Sequence, residues 1–280
     1  MAKVAGCGTK WYNRLMTELV FLKLGGSLIT DKTQPYTPRL DKLADLAGQI
    51  ASAWTLSQRL VLGHGSGSFG HTAAQEHGTR AGVRTADEWR GFAEVHFQAE
   101  QLNRHVMDAL HQARLSALAF PPSGTVIASD GQVSMWETTP IRMALANGIL
   151  PVIYGDVVFD EVRGGTILST EDLFQYLARQ LTPKRILLAG LEAGVWADFP
   201  ARTRFLNEVS PISYGTMRAG VGSAVGMDVT GGMASKVQQM LTLIQEFPTL
   251  EAVIFSAEEP GNLTSALAGE PIGTKITVDR

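Results

Sequence analysis

Apolar and polar positions along this chain fall into two alternating rhythms. Short runs that are apolar almost throughout recur at Glu18–Leu24, Arg59–Leu62, Val126–Ala128, Ile149–Tyr154, Arg185–Ala189 and Ala252–Phe255. Runs of that length without polar alternation predict strands buried on both faces. Between them, apolar residues recur three and four apart. In Leu40–Trp54 they are Leu40, Leu43, Leu46, Ile50 and Trp54, and from about Ala86 to Arg114 they include Phe92, Val95, Ala99, Leu102, Val106 and Leu110. That spacing lays an apolar stripe along a helix. Thr138–Ala146, Asp172–Leu181 and Met233–Phe247 read as further helices. Val157–Leu168, broken at Arg163-Gly164-Gly165, reads as a hairpin, and Ile276–Val278 as a short edge strand. Strands alternating with helices predict an α/β fold with a mostly parallel sheet covered on both faces.

Ligands of such sheets sit beyond the carboxyl ends of the strands. Four glycine-bearing loops fall there, after Leu24, Leu62, Tyr154 and Ala189. The richest runs from Gly63 to His71, with four glycines and two histidines in nine residues. Glycine alternating with small polar residues lets backbone N–H groups converge on an anion, and a helix starting just after adds its dipole. A tight strand-to-helix turn without a ligand would use the same residues. Gly65–Gly70 is also a literal GxGxxG, with Asp87 and Glu88 at the distance of a ribose contact. Against a dinucleotide site stand the earlier Gly25-Gly26 loop and His71, for which such a turn has no use. The chain has no GxxxxGK[ST], which excludes a P-loop.

Composition narrows the class. The 280 residues are 45% hydrophobic and 18% charged, ordinary for a globular protein with a sizeable core, and one large α/β sheet can hold them. A net charge of −3 gives no electrostatic reason to expect nucleic acid or a membrane as partner. Cys7 is the only cysteine, which excludes an internal disulfide and suits a reducing cytoplasm. Residues 1–17 lack the apolar core of a signal peptide and read as a loose extension, with Met16 an equally good start. His96, His105 and His111 have no carboxylate partners at ligand spacing and read as packing or surface histidines, so no metal site is predicted.

Lys23 lies near the end of the first apolar strand, where an amine needs an anion or water. Lys32 follows nine residues on. Asp228-Val229-Thr230-Gly231-Gly232-Met233 leads into a helix with Lys236 one turn in, an arrangement that suits phosphate or a plain capped helix. Three lysines and several glycine loops together suit phosphoryl transfer, which needs positioning and charge neutralisation more than covalent chemistry. An acceptor oxygen already ionised needs no general base.

These motifs resemble the amino acid kinase superfamily and, within it, the isopentenyl phosphate kinases. They are Lys23-Leu24-Gly25-Gly26-Ser27 with Lys32, Gly63–His71, Tyr154-Gly155-Asp156-Val157-Val158, and Asp228–Lys236. The resemblance runs from about Leu19 to the C-terminus. It implies a single domain over 18–280, an open αβα sandwich that forms a homodimer. The acceptor would bind in the N-terminal half and ATP with Mg²⁺ toward the C-terminal half. By the same resemblance Lys23, Gly25, Gly26, Ser27, Gly67, Gly232 and Lys236 touch the ATP phosphates, and Ser66, His71 and Gly155 hold the acceptor's phosphate. Lys32 matches the lysine that stabilises the transferring phosphoryl group, and Asp172 an acidic residue that orients the active-site lysines. Two stretches depart from the family pattern. Gly190-Leu191-Glu192-Ala193-Gly194-Val195 replaces an Asp-x-Asp-Gly-Val segment, and Thr72–Val83, expected beside the isoprenoid tail, is rich in polar residues. Tail contacts then fall to apolar residues such as Phe92 or Val95. The fosfomycin kinases share the glycine loop and its histidine, so a small phosphate or phosphonate acceptor of that kind is the alternative.

Overall fold

The computed structural model describes residues 18–54, 59–199, 201–220 and 232–279. The first half runs β1 (Leu19–Leu24), α1 (Gly26–Ile29), α2 (Leu40–Ala53), β2 (Arg59–His64), α3 (Gly67–His77), α4 (Ala86–Gln112), β3 (Ala117–Ala119), β4 (Val126–Ser129), β5 (Gln132–Trp136) and α5 (Thr139–Ala146). It continues with β6 (Leu150–Tyr154), β7 (Asp156–Asp160), β8 (Gly164–Leu168), α6 (Thr170–Leu181) and β9 (Arg185–Gly190). Then come β10 (Val195–Trp196), β11 (Phe205–Leu206), β12 (Glu208–Val209), α7 (Pro211–Gly220), α8 (Gly232–Glu246), β13 (Glu251–Ser256), α9 (Asn262–Ala268) and β14 (Thr274–Ile276). The predicted extension, residues 1–17, and the segment 221–231 between α7 and α8 lie outside the described residues.

Among the described residues the main sheet has the strand order β12-β14-β13-β9-β1-β2-β6-β3. The six strands from β13 to β3 run parallel, and β14 turns back antiparallel on β13. The strand predicted at the edge near Ile276 is therefore internal, because the two-residue β12 pairs outside it. A strand that short leaves no periodic signal. The predicted hairpin is β7–β8, part of a smaller sheet β5-β4-β7-β8.

Alternation along β1 sets the layers. Leu19 and Phe21 pack on the face covered by α5, α6 and α8, with Leu173, Leu177, Val237 and Ile244. Val20, Leu22 and Leu24 pack on the other face with Leu46 and Ile50 of α2, Leu102 and Val106 of α4 and Leu263 of α9. This is the expected αβα sandwich. The same period aims Lys23 at the α6 and α8 side, at the carboxyl end of a strand buried along its whole length. α4 begins on a capping box in which the Thr85 hydroxyl accepts from Glu88 N–H and Glu88 accepts from Thr85 N–H. Glu88 is thus occupied at the helix start and Asp87 pairs with Arg90 at 2.6 Å, which leaves the GxGxxG without its ribose partner.

Candidate active site

The four strands whose ends carry the glycine loops are immediate neighbours in the sheet, in the order β9-β1-β2-β6. Backbone hydrogen bonds stitch the loops together past the last ladder pair. Gly25 N–H donates to Ala189 C=O at 2.8 Å, Gly65 N–H to Leu24 C=O at 3.0 Å, and Gly155 N–H to His64 C=O at 3.2 Å. The first two loops then approach closely enough to require glycine. A Cβ on Gly26 would lie 2.4 Å from the Gly67 nitrogen, and Gly67 has φ +50°, with a Cβ there meeting Thr30 at 2.2 Å. Thr30 locks the junction, its hydroxyl donating to Gly26 C=O at 2.8 Å and accepting from Ser68 N–H at 3.0 Å.

Above these loops opens a cavity of about 680 Å³. Of the residues predicted from sequence, Lys23, Gly25, Gly26, Ser27, Lys32, Ser66, Gly67, Gly155 and Lys236 line it. His71 lies in α3, one turn after Gly67, and Gly232 is the first residue of α8. Asp228 to Gly231 lie outside the described residues.

The charges here are arranged in pairs. The Lys23 amine forms an ion pair with Glu171, both side chains being almost fully buried. Burial works against the Glu171 charge, but Lys23 and Lys236 outweigh it and hold the carboxyl below its usual range. Asp172 is engaged differently. Its carboxylate accepts from Ser169 N–H and hydroxyl at 2.8 and 2.7 Å and from Gln239 at 3.0 Å, with Arg80 at 3.8 Å. Glu171 thus touches Lys23, while Asp172 closes the capping box of α6.

On the far side of β2 the groups are neutral or share a proton. His64 is fully buried, stacks on Tyr154 at 5.2 Å and bonds Asn103 at 3.2 Å; burial lowers it to about 4. Asp156, next to Gly155, accepts from His96 at 3.0 Å. Burial raises the Asp156 carboxyl, and the bond to Asp156 raises His96, so both shifts retain the proton between them. His96 thus has a carboxylate partner sixty residues away, which local spacing did not predict. Ala74, Val95, Ala99 and Ile167 give the cavity an apolar wall. Phe92 stands behind it, packed against Trp89 and Phe159.

The sequence model of the amino acid kinase family matches residues 18–256. This chain belongs to that family. Curated relatives include the isopentenyl phosphate kinase of Methanothermobacter thermautotrophicus, 34% identical over 92% of this chain and 99% of its own. That of Haloferax volcanii is 36% identical over 92% of this chain and 98% of its own. A solved isopentenyl phosphate kinase superposes with a TM-score of 0.78 at 31% identity, covering 92% of this chain and all of that one. The UMP kinase of Bacillus anthracis shares the fold at a TM-score of 0.61 and 18% identity.

Within this amino acid kinase the departing segment after β9 has a definite place. Gly190, Leu191 and Glu192 line the cavity, and Glu192 pairs with Arg202. Glu171 is the site residue that sequence motifs missed. A signal for it existed: Ser169-x-x-Asp172 is a capping box that uses up Asp172, leaving its neighbour for Lys23.

Proposed function

We propose that this chain is an isopentenyl phosphate kinase, transferring the γ-phosphoryl group of ATP to isopentenyl phosphate to give isopentenyl diphosphate and ADP. The observation that carries this reading is the convergence of nine motif residues on one cavity with both a cationic floor and an apolar wall. Full-length relatives bearing that name support it.

In this reading Lys23, Gly25, Gly26, Ser27, Gly67, Gly232 and Lys236 cradle the ATP phosphates. The backbone-to-backbone approach of Gly26 and Gly67 fits such a cradle, since side chains there would fill it. Ser66, His71 and Gly155 hold the acceptor's phosphate, and Val95, Ala99 and Ile167 face its hydrocarbon tail. An acceptor phosphate oxygen is already ionised, so attack needs alignment rather than a base. Lys32 then meets charge growing on the transferred group, while Glu171, beside Asp172, fixes the amine of Lys23. The carboxylates lining the cavity, Asp156, Glu171 and Glu192, each have a cationic or histidine partner. Among the described residues no three acidic, histidine or cysteine groups form a metal cluster. That donor set suits Mg²⁺ held chiefly by nucleotide phosphates, where it supplies charge neutralisation. The division into an N-terminal acceptor half and a C-terminal nucleotide half and the homodimer follow the family resemblance, and the cytoplasmic setting follows the single cysteine, Cys7. No described helix is long and apolar enough to cross a membrane.

The test is turnover with ATP on isopentenyl phosphate against fosfomycin, compared as kcat/KM. The expected result is a preference for isopentenyl phosphate of at least two orders of magnitude. Equal or better use of fosfomycin overturns the assignment.

A further inference from the structure

Arg80 occupies a place that neither the glycine motifs nor the lysines explain. It sits in the short turn between α3 and α4, whose backbone is fixed: the Thr166 hydroxyl of β8 donates to Arg80 C=O at 3.0 Å, and Val83 N–H donates to Arg163 C=O at 2.8 Å. From this anchored point its side chain lines the cavity that Ser66, Gly155 and the apolar Val95 and Ile167 also line. The Arg80 side chain is 68% exposed, and the nearest carboxylate oxygen to its guanidinium, on Asp172, is 3.8 Å away. That is beyond hydrogen-bond distance, and an exposed ion pair of that length contributes little. Asp172 does not depend on it, because Ser169 and Gln239 already donate to that carboxylate at 2.7 to 3.0 Å. Among the described residues the Arg80 guanidinium makes no hydrogen bond, so its planar array of donors faces the cavity unused. Lys23, by contrast, is held by Glu171.

A permanently charged fork that lines the same cavity as an apolar wall matches a phosphate carried on a hydrocarbon tail, which in this reaction is the acceptor. We infer that Arg80 is an acceptor-binding residue: its guanidinium leaves the loose contact with Asp172 and hydrogen-bonds the phosphate of the acceptor. This rests on the proposed phosphotransferase reading but adds a contact outside its motifs. Because the contact forms with the bound acceptor before transfer, its loss is felt in KM more than in kcat.

The experiment compares wild type, Arg80→Ala and Arg80→Lys by steady-state kinetics and by calorimetric titration with inorganic phosphate. For Arg80→Ala the inference predicts a rise in the acceptor's KM and in the phosphate Kd on the order of ten- to a hundredfold, the range for a charge-assisted hydrogen bond. The KM for ATP stays within about twofold, and Arg80→Lys, which keeps the charge but loses the fork, falls between. An unchanged acceptor KM and phosphate Kd overturn the inference. So does an equal rise in the KM for ATP, which would mean that Arg80 acts through Asp172 and α8. Wild type that fails to turn over isopentenyl phosphate defeats the functional reading instead, and the phosphate titration still decides the role of Arg80.

Discussion

A lysine amine inside a fully buried strand calls for an anion beside it, and Lys23 has one in Glu171. Lys23 was legible as a site residue because a polar residue in an apolar strand calls for a reason. Glu171 was not, because its neighbour Asp172 matches a family position and both are acidic. What separates them is local geometry: a carboxylate three residues after Ser169 folds back on the helix start, whereas the one before it projects toward β1. This yields a discriminating prediction. Glu171→Gln leaves the Lys23 amine buried without its counter-charge and should lower kcat by a factor on the order of 10²–10³, the range for a misplaced electrostatic contact. Asp172→Asn, which keeps hydrogen-bonding capacity at a helix cap, should cost clearly less. Steady-state kinetics of the two variants checks this, and a larger loss in Asp172→Asn would return the lysine-orienting role to Asp172.

At the scale of elements, helices and buried strands were readable from periodicity, since α2, α4, α5 and α6 each start and stop within a few residues of the apolar pattern. The short strands β3, β10, β11 and β12 were not, being only two or three residues long. β2 shows how one element serves both fold and site. Its last residue, His64, packs between Tyr154 and Asn103 while its carbonyl accepts from Gly155 N–H and the Thr170 hydroxyl. Burial depresses His64 from 6.5 to about 4, so the unfolded chain binds a proton there that the folded protein refuses. Stability is therefore fully present above pH 6.5 and falls as pH drops toward 4, by up to about 3 kcal/mol from this group. Denaturant titrations at pH 7 and pH 4.5 should show a smaller acid-side loss in His64→Gln than in wild type. Equal losses in the two proteins would remove His64 from the acid response.

For the molecule as a whole, the class was legible and the strand order was not. Each strand's apolar run announces burial on two faces, but nothing local says that β1 lies between β9 and β2, or that β6 follows β2. The four glycine loops were the exception. Loops at the ends of parallel strands meet only if the strands are neighbours, and a shared ligand gives the residues of all four a common character. The resemblance of the motifs at three of these loops and at Asp228–Lys236 to the amino acid kinases is what named nine residues from Lys23 to Lys236 that line one cavity. The central claim, that phosphate donor and acceptor meet over these loops, is tested most directly by a crystal structure with isopentenyl phosphate and a non-hydrolysable ATP analogue bound together. The account predicts the acceptor's phosphate at Ser66, Gly155 and His71 with its tail toward Val95 and Ala99, and the nucleotide phosphates at Gly25–Ser27 and Lys236. An acceptor bound away from Gly155, or a nucleotide lying across the apolar wall, would contradict it.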